Sequence, residues 1–152
     1  MNRSRCHITR EVIDPASLLT NAASPSDGAV LLFLGVVRNQ NQGREVGHLD
    51  YEAYEPMARS VLEQILDEAS GKWGIGETQV VHRVGRLQIG DASVAIIVAA
   101  PHRGDAYSAS RYIIDELKKR VPIWKREGYQ DGDSEWLPGT APEVAGHGGV
   151  DV

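Results

Sequence analysis

The chain has 152 residues and a net charge of −5, from 16 Lys or Arg against 21 Asp or Glu. Its size suits one domain, its acidity argues against a general nucleic-acid-binding protein, and no apolar run reaches the roughly 18 residues of a membrane span. A single cysteine, Cys6, permits neither an internal disulfide nor a cysteine metal cluster. A cytoplasmic protein without a membrane segment is therefore expected.

The first elements are short. Residues 3–9 predict a strand, and Asp14 followed by Pro15 predicts the start of a helix that ends near residue 22. The segment 24–28 (SPSDG) has the composition of a turn.

Two strands and a loop follow. The nearly continuous apolar run at 29–37 predicts a strand buried on both faces. Residues 39–45 (NQNQGRE) predict a flexible polar loop, and residues 46–54 a second strand. Alternation along that second strand places one apolar set together, namely Leu49, Tyr51 and Ala53.

A longer helix is predicted from Pro56 to about Gly71. Its apolar residues recur at helical spacing and predict a stripe that faces the core. This stripe consists of Met57, Val61, Leu62, Ile65 and Ala69.

The second half predicts a strand at 78–87, a turn around Gly90, and an apolar strand at 93–100. Asp105 is expected to cap a helix that ends near Arg120, because Pro122 cannot continue it. Its inward residues are Ala106, Ile113, Ile114 and Leu117. A short extended piece follows at 123–127. The order of elements predicts a single domain of the α+β (mixed α/β) class.

Familiar catalytic motifs are absent. The sequence contains no GxxxxGK[ST], no GxGxxG after a strand and no GxSxG. The five histidines show no metal-ligand spacing, so no metal site is predicted. If the protein is an enzyme, its reactive groups are expected among lysines, arginines and histidines.

Cations are concentrated between residues 102 and 126, where seven Lys or Arg stand against three acids. In an acidic protein such a segment indicates either a site for a small anion or a basic helix face in water. Arg38 ends an apolar strand, where it either projects into a cleft or opens a surface loop. His102 and Arg103 precede a helix N-terminus, which favours anions, or else flank a capping turn.

Two lysines bracket a proline in LKKRVPIWKRE, residues 117–127. Lys118 lies at a helix C-terminus, where it complements the helix dipole. That reason does not apply to Lys125, which follows Trp124. A lysine held against apolar surface near other cations can act as an acid, a base or a nucleophile.

Five motifs in this order resemble the large, catalytic subunit of molybdopterin synthase: FLGVVR, LDYEAYEPMA, HRVGRLQIGDASV, APHRGDAYSA and LKKRVPIWKRE. The resemblance spans about residues 5–137 and implies a catalytic-subunit domain at 1–137. It does not cover residues 138–152, whose Gly, Pro and Ala content predicts a flexible tail. It implies an α/β-hammerhead fold with a small additional β subdomain. It also implies a homodimer that binds two small ubiquitin-like sulfur carriers, giving a heterotetramer.

The resemblance further implies the reaction. The carrier's C-terminal Gly-Gly ends in a thiocarboxylate, whose sulfur passes to cyclic pyranopterin monophosphate and forms the dithiolene of molybdopterin. Because the carrier brings the sulfur, no permanently bound cofactor is expected. The substrate-binding positions it implies are Val36, Val37, Arg38, His102, Arg103, Lys118, Lys125, Arg126 and Glu127.

Lys118 and Lys125 match the two catalytic lysines. Lys118 is expected beside the thiocarboxylate carbonyl, where it polarises the tetrahedral intermediate. Lys125 is expected to bind substrate and move protons, although the sequence leaves these two roles exchangeable. Glu127 is expected to orient a cation, with an exposed surface acid as the alternative.

Two other functions fit the sequence less well. A non-catalytic adaptor for a ubiquitin-like partner would not need Lys118 and Lys125, and a domain that binds an anionic metabolite would not need a carrier protein. RNA binding lacks the clustered aromatic residues that such proteins use.

Overall fold

The computed structural model describes residues 5–129, 132 and 134–138, so the expected tail at 138–152 lies outside them except for its first residue. Nine strands and three helices make up the described part, and the expected α+β class is confirmed. In chain order they are β1 (Cys6–Thr9), α1 (Pro15–Leu19), β2 (Ala29–Val36), β3 (Gln40–Asn41), β4 (Arg44–Ala53), α2 (Glu55–Lys72), β5 (Thr78–Arg83), β6 (Gly85–Gln88), β7 (Ala92–Ala100), α3 (Arg103–Arg120), β8 (Ile123–Tyr129) and β9 (Ser134–Pro138).

The strands form two sheets. The first has the order β1-β5-β7-β2, in which β1 runs parallel to β5 and the other pairs are antiparallel. The second has the order β3-β4-β8-β9, with β6 also paired to β4. This second sheet forms the small β unit beside the helix-covered first sheet.

Helices α2 and α3 contact each other, and α3 also packs on β7 and β2 of the first sheet. The central side chains of both helices are fully buried, among them Leu62 and Ile65 of α2 and Ile113 of α3. From β7 they meet Ile96 and Val98, which are also inaccessible to solvent. Burial of these apolar side chains is the main favourable contribution to the free energy of folding, at about 25 cal/mol per Å² of apolar surface removed from water.

The prediction that residues 29–37 are buried on both faces is only partly right. Strand β2 lies at the edge of the first sheet, and its residues from Ala29 to Leu34 are half-buried. Phe33 packs on the main core, while Leu34 packs on a smaller cluster with Ile13. Both faces are covered, but the edge position leaves each one incompletely shielded.

Two boundaries differ because of backbone turns. The expected loop at 39–45 is a tight hairpin, whose turn residues Gln42 and Gly43 have φ of 51° and 82°. The expected strand at 78–87 is two strands, since Gly85 has φ of 95° and redirects the chain from the first sheet to the second. Glycine adopts such positive φ values without steric cost.

Details of the helices also differ. Asp14 caps α1 as expected, accepting from the backbone N–H groups of Ala16 (3.2 Å) and Ser17 (3.5 Å), although α1 ends at Leu19. Met57 was wrongly placed in the core, because it is 53% exposed at the first turn of α2. Asp105 was wrongly expected as the cap of α3, since His102 holds that position.

Candidate active site

A buried charged pair lies on β8. Lys125 is 5% exposed and Glu127 is 1% exposed, and both face the core side of the second sheet. Because alternate residues of a strand share a face, the two Cα atoms are about 6.6 Å apart. A charge is costly to bury unless other groups compensate it, so this pair indicates a site with a chemical purpose.

The neighbouring strand β4 supplies the residues opposite this pair. Tyr51 is the cross-strand partner of Lys125, and Leu49 is the partner of Glu127. The β3–β4 hairpin adds Asn41, whose Nδ2 donates to Oε1 of Glu127 at 2.6 Å. The hairpin therefore fixes the orientation of the Glu127 carboxylate.

His82 of β5 completes the group, which we call the Lys125 cluster: Lys125, Glu127, Tyr51, His82 and Asn41. The rings of His82 and Tyr51 meet edge to face with centroids 5.2 Å apart. Both residues are almost fully buried, at 2% and 3% exposure.

His82 is neutral at physiological pH. Burial lowers its pKa to about 4, and the positive charge of Lys125 acts in the same direction. Its Nδ1 lies 2.9 Å from the carbonyl oxygen of Arg83, so the neutral ring donates Nδ1–H there and keeps a lone pair on Nε2. The ring therefore adds no second positive charge to the cluster.

The hydroxyl of Tyr51 is buried and has no hydrogen-bond partner among the described residues. Ser93 lies close to it, but the Ser93 hydroxyl donates to the carbonyl oxygen of Gly35 at 3.2 Å. Burial raises the pKa of Tyr51 to about 12, so the phenol keeps its proton.

Lys118 occupies the last turn of α3 and is half-buried. The helix ends at Arg120, and the N–H of the C-cap residue Val121 donates to the carbonyl oxygen of Leu117 at 3.1 Å. Pro122 then leads directly into β8. This bend, rather than helical periodicity, connects the segment of Lys118 with that of Lys125.

Arg126 points away from the Lys125 cluster. It bonds Oδ2 of Asp50 at 3.1 Å on the outer face of the second sheet and lies over the ring of Trp136 at 5.0 Å. Its predicted role in substrate binding would therefore require a site on the outer face.

The predicted positions 36–38 lie where β2 leaves the first sheet. Val36 and Arg38 are exposed, whereas the Val37 side chain is 3% exposed and belongs to the core. The Val37 backbone is also occupied: its N–H donates to Asp91 and its carbonyl accepts from Gly90, both at 2.9 Å.

His102 and Arg103 lie far from Lys118. They are exposed at the N-terminus of α3, and Lys118 is at the other end of that helix. Fifteen residues of α-helix span about 22 Å, so Arg103 and Lys118 of one chain cannot hold the same phosphate group. Within a single chain, the predicted site residues therefore form two separate groups.

Tyr51, His82 and Asn41 were not singled out from the sequence. Alternation in β4 predicts that Tyr51 shares one face with Leu49 and Ala53, but only the pairing of β4 with β8 shows that Tyr51 lies opposite Lys125. No group of three or more metal-ligating side chains is found among the described residues. No helix in this part of the chain is long and apolar enough to cross a membrane.

The chain is similar to known proteins over most of its length. A family model described as MoaE protein matches residues 8–120. A molybdopterin synthase catalytic subunit from Nostoc sp. is 44% identical over 126 residues, which cover 82% of this chain and 76% of that protein.

Solved structures are similar as well. The crystal structure of molybdopterin synthase from Staphylococcus aureus has a TM-score of 0.83 at 42% identity, covering 90% of this chain and 98% of that one. A complex of subunits 1 and 2 of molybdopterin-converting factor from Helicobacter pylori shares the fold, with a TM-score of 0.70 at 22% identity and 88% of each chain covered.

Proposed function

The chain belongs to the MoaE protein family, and we propose that it is the catalytic subunit of a molybdopterin synthase. In this proposal it transfers sulfur from the C-terminal thiocarboxylate of a small ubiquitin-like carrier to cyclic pyranopterin monophosphate. The product is the dithiolene of molybdopterin, which places the protein in molybdenum cofactor biosynthesis. The proposal assigns the protein no permanently bound cofactor and a cytoplasmic location.

The observation that carries the proposal is the burial of Lys125 beside Glu127. A lysine with a purely structural role gains little stability from burial. A lysine that binds an anion or moves a proton benefits from the low polarity of a buried position. Lys118, at the end of the helix that leads into β8, supplies a second ammonium group. We assign it to the oxyanion that forms at the thiocarboxylate carbon.

The single cysteine supports a carrier as the sulfur source. Cys6 is 2% exposed, and burial raises its pKa to about 12, so its thiol neither ionises nor reaches a substrate. A reaction that transfers sulfur through this protein therefore needs a donor brought by a partner.

The divided site supports a homodimer. Arg38 suits one anionic part of the substrate, while His102 and Arg103 lie at the far end of α3. In the proposed dimer the partner copy brings its His102 and Arg103 to the lysines of the first copy. With one carrier on each copy, the assembly is a heterotetramer.

The test is sulfur transfer in a reconstituted system. Purified protein, carrier loaded as the thiocarboxylate and the pyranopterin are mixed, and dithiolene formation is measured in a single turnover. Lys118→Ala and Lys125→Ala should each slow product formation by at least about a hundredfold, or roughly 2.7 kcal/mol of barrier.

Lys119→Ala is the matched control, because the Lys119 side chain is 63% exposed and pairs with Glu116 at 3.6 Å. It should keep nearly the full rate. Lys118→Arg should lose activity, since arginine keeps the charge but does not release a proton. An equal loss in Lys119→Ala and Lys118→Ala would contradict the assignment, and so would full activity in Lys118→Arg.

A further inference from the structure

The Tyr51 hydroxyl is one of two buried side-chain polar atoms without a hydrogen-bond partner among the described residues, the other being Nε of Arg83. It is fully buried, and no described residue bonds it. A buried hydroxyl without a partner costs about 1–3 kcal/mol, and phenylalanine would fill the same space without that cost. Such a group is expected to find its partner in another state of the protein.

Its position identifies that partner. Tyr51 lies directly opposite Lys125 in the β4–β8 pair, and side chains so placed have Cβ atoms within about 5 Å. The His82 ring packs against Tyr51 from β5, so the phenol has little freedom to turn elsewhere. Glu127, the negative group of the cluster, is held in place by Asn41.

A hydroxyl suits a lysine that changes its protonation state. It accepts a hydrogen bond from an ammonium group and donates one to a neutral amine, whereas a carboxylate only accepts. Burial keeps the pKa of Tyr51 near 12, so the donor proton stays available. The Glu127 carboxylate alone would favour the charged amine.

We propose that Tyr51 is a positioning residue for Lys125. In the loaded site the Tyr51 hydroxyl forms a hydrogen bond with Nζ of Lys125. The hydroxyl accepts from the charged amine and donates to the neutral amine. The inference rests on the proposed function, because sulfur transfer gives Lys125 a proton to move. The neutral His82 ring holds the phenol in place without adding a charge.

The experiment is Tyr51→Phe in single-turnover sulfur transfer with preloaded carrier, together with thermal melting. The rate at saturating carrier and pyranopterin should fall at least about tenfold. The melting temperature should stay equal or rise, because an unpaired buried hydroxyl has been removed. The loss should appear in the rate at saturation and not in the pyranopterin concentration that gives half of the maximal rate.

Tyr112→Phe is the matched control. The Tyr112 hydroxyl donates to Oε1 of Glu68 at 2.6 Å between α2 and α3, so its loss should lower the melting temperature and leave the rate unchanged. Ser93→Ala keeps the Tyr51 hydroxyl and removes its neighbour, and it should retain the wild-type rate. An equal loss of rate in Ser93→Ala and Tyr51→Phe would assign the effect to core packing and overturn the inference.

Two other results would also overturn it. One is a Tyr51→Phe rate within twofold of the wild type at every pH. The other is a rate loss that disappears at higher pyranopterin concentration, because that effect would lie in binding. Failure of the proposed function looks different: the wild-type protein itself would then form no dithiolene product.

Discussion

Acidification should destabilise the fold through His82. In the native state burial holds its pKa near 4, whereas the unfolded chain has the ordinary value of 6.5. Below pH 6.5 the unfolded state therefore binds a proton that the native state does not. Stability from this residue is complete above pH 6.5 and is lost as the pH falls towards 4.

The two pKa values set the size of the effect. Between pH 7 and pH 5 the free energy of unfolding should fall by about 2 kcal/mol through His82 alone, and by about 3 kcal/mol once the pH is below 4. For a chain of this length the first figure corresponds to a decrease of roughly 4–8 °C in melting temperature.

Urea unfolding of wild type and His82→Gln at pH 7 and pH 5, at one protein concentration, measures the effect. Carboxylates titrate in both proteins, so the difference between their pH-dependent losses isolates His82. His82→Gln should be less stable at pH 7 but should lose about 2 kcal/mol less on acidification. His7→Gln, at an exposed position of β1, should behave like the wild type. Equal losses in wild type and His82→Gln would refute the reasoning.

Three further results are expected. Cys6→Ala should leave carrier-dependent turnover within about twofold, and a loss beyond tenfold, about 1.4 kcal/mol of barrier, would contradict the carrier as sulfur source. Arg38→Ala should weaken pyranopterin binding, measured by calorimetry, while the carrier still binds. An unchanged affinity for the pyranopterin would show that Arg38 is a surface-loop residue without a role in binding. Gly28→Ala should lower the melting temperature, because a Cβ there would lie 2.6 Å from the carbonyl oxygen of Pro101, whereas Gly71→Ala, with no atom within 4 Å, should not.

Local sequence patterns were enough to predict most of the fold. Proline and the capping residue Asp14 marked helix boundaries, since their effects act within one turn of chain. The pairing of strands was harder to predict because it depends on distant residues. Gly85 inside the run at 78–87 is compatible with one strand or with two, and the division between two sheets, which its positive φ permits, depends on the pairing of β6 with the distant β4.

The candidate site shows the same limit. The motif around Lys125 and Glu127 was identified by its local composition and resemblance. Asn41, which orients Glu127, lies 86 residues earlier, and Tyr51 and His82 come from two other strands. Their roles depend on sheet register, which sequence spacing within one segment does not encode.

The edge position of β2 affects the tendency of the purified protein to aggregate. Among the described residues no strand pairs with the outer side of β2, so alternate residues of this mainly apolar strand direct backbone N–H and C=O groups away from the sheet. Such an edge readily recruits another strand, and uncontrolled recruitment produces aggregates. We therefore expect concentrated or partly denatured preparations to precipitate through this edge.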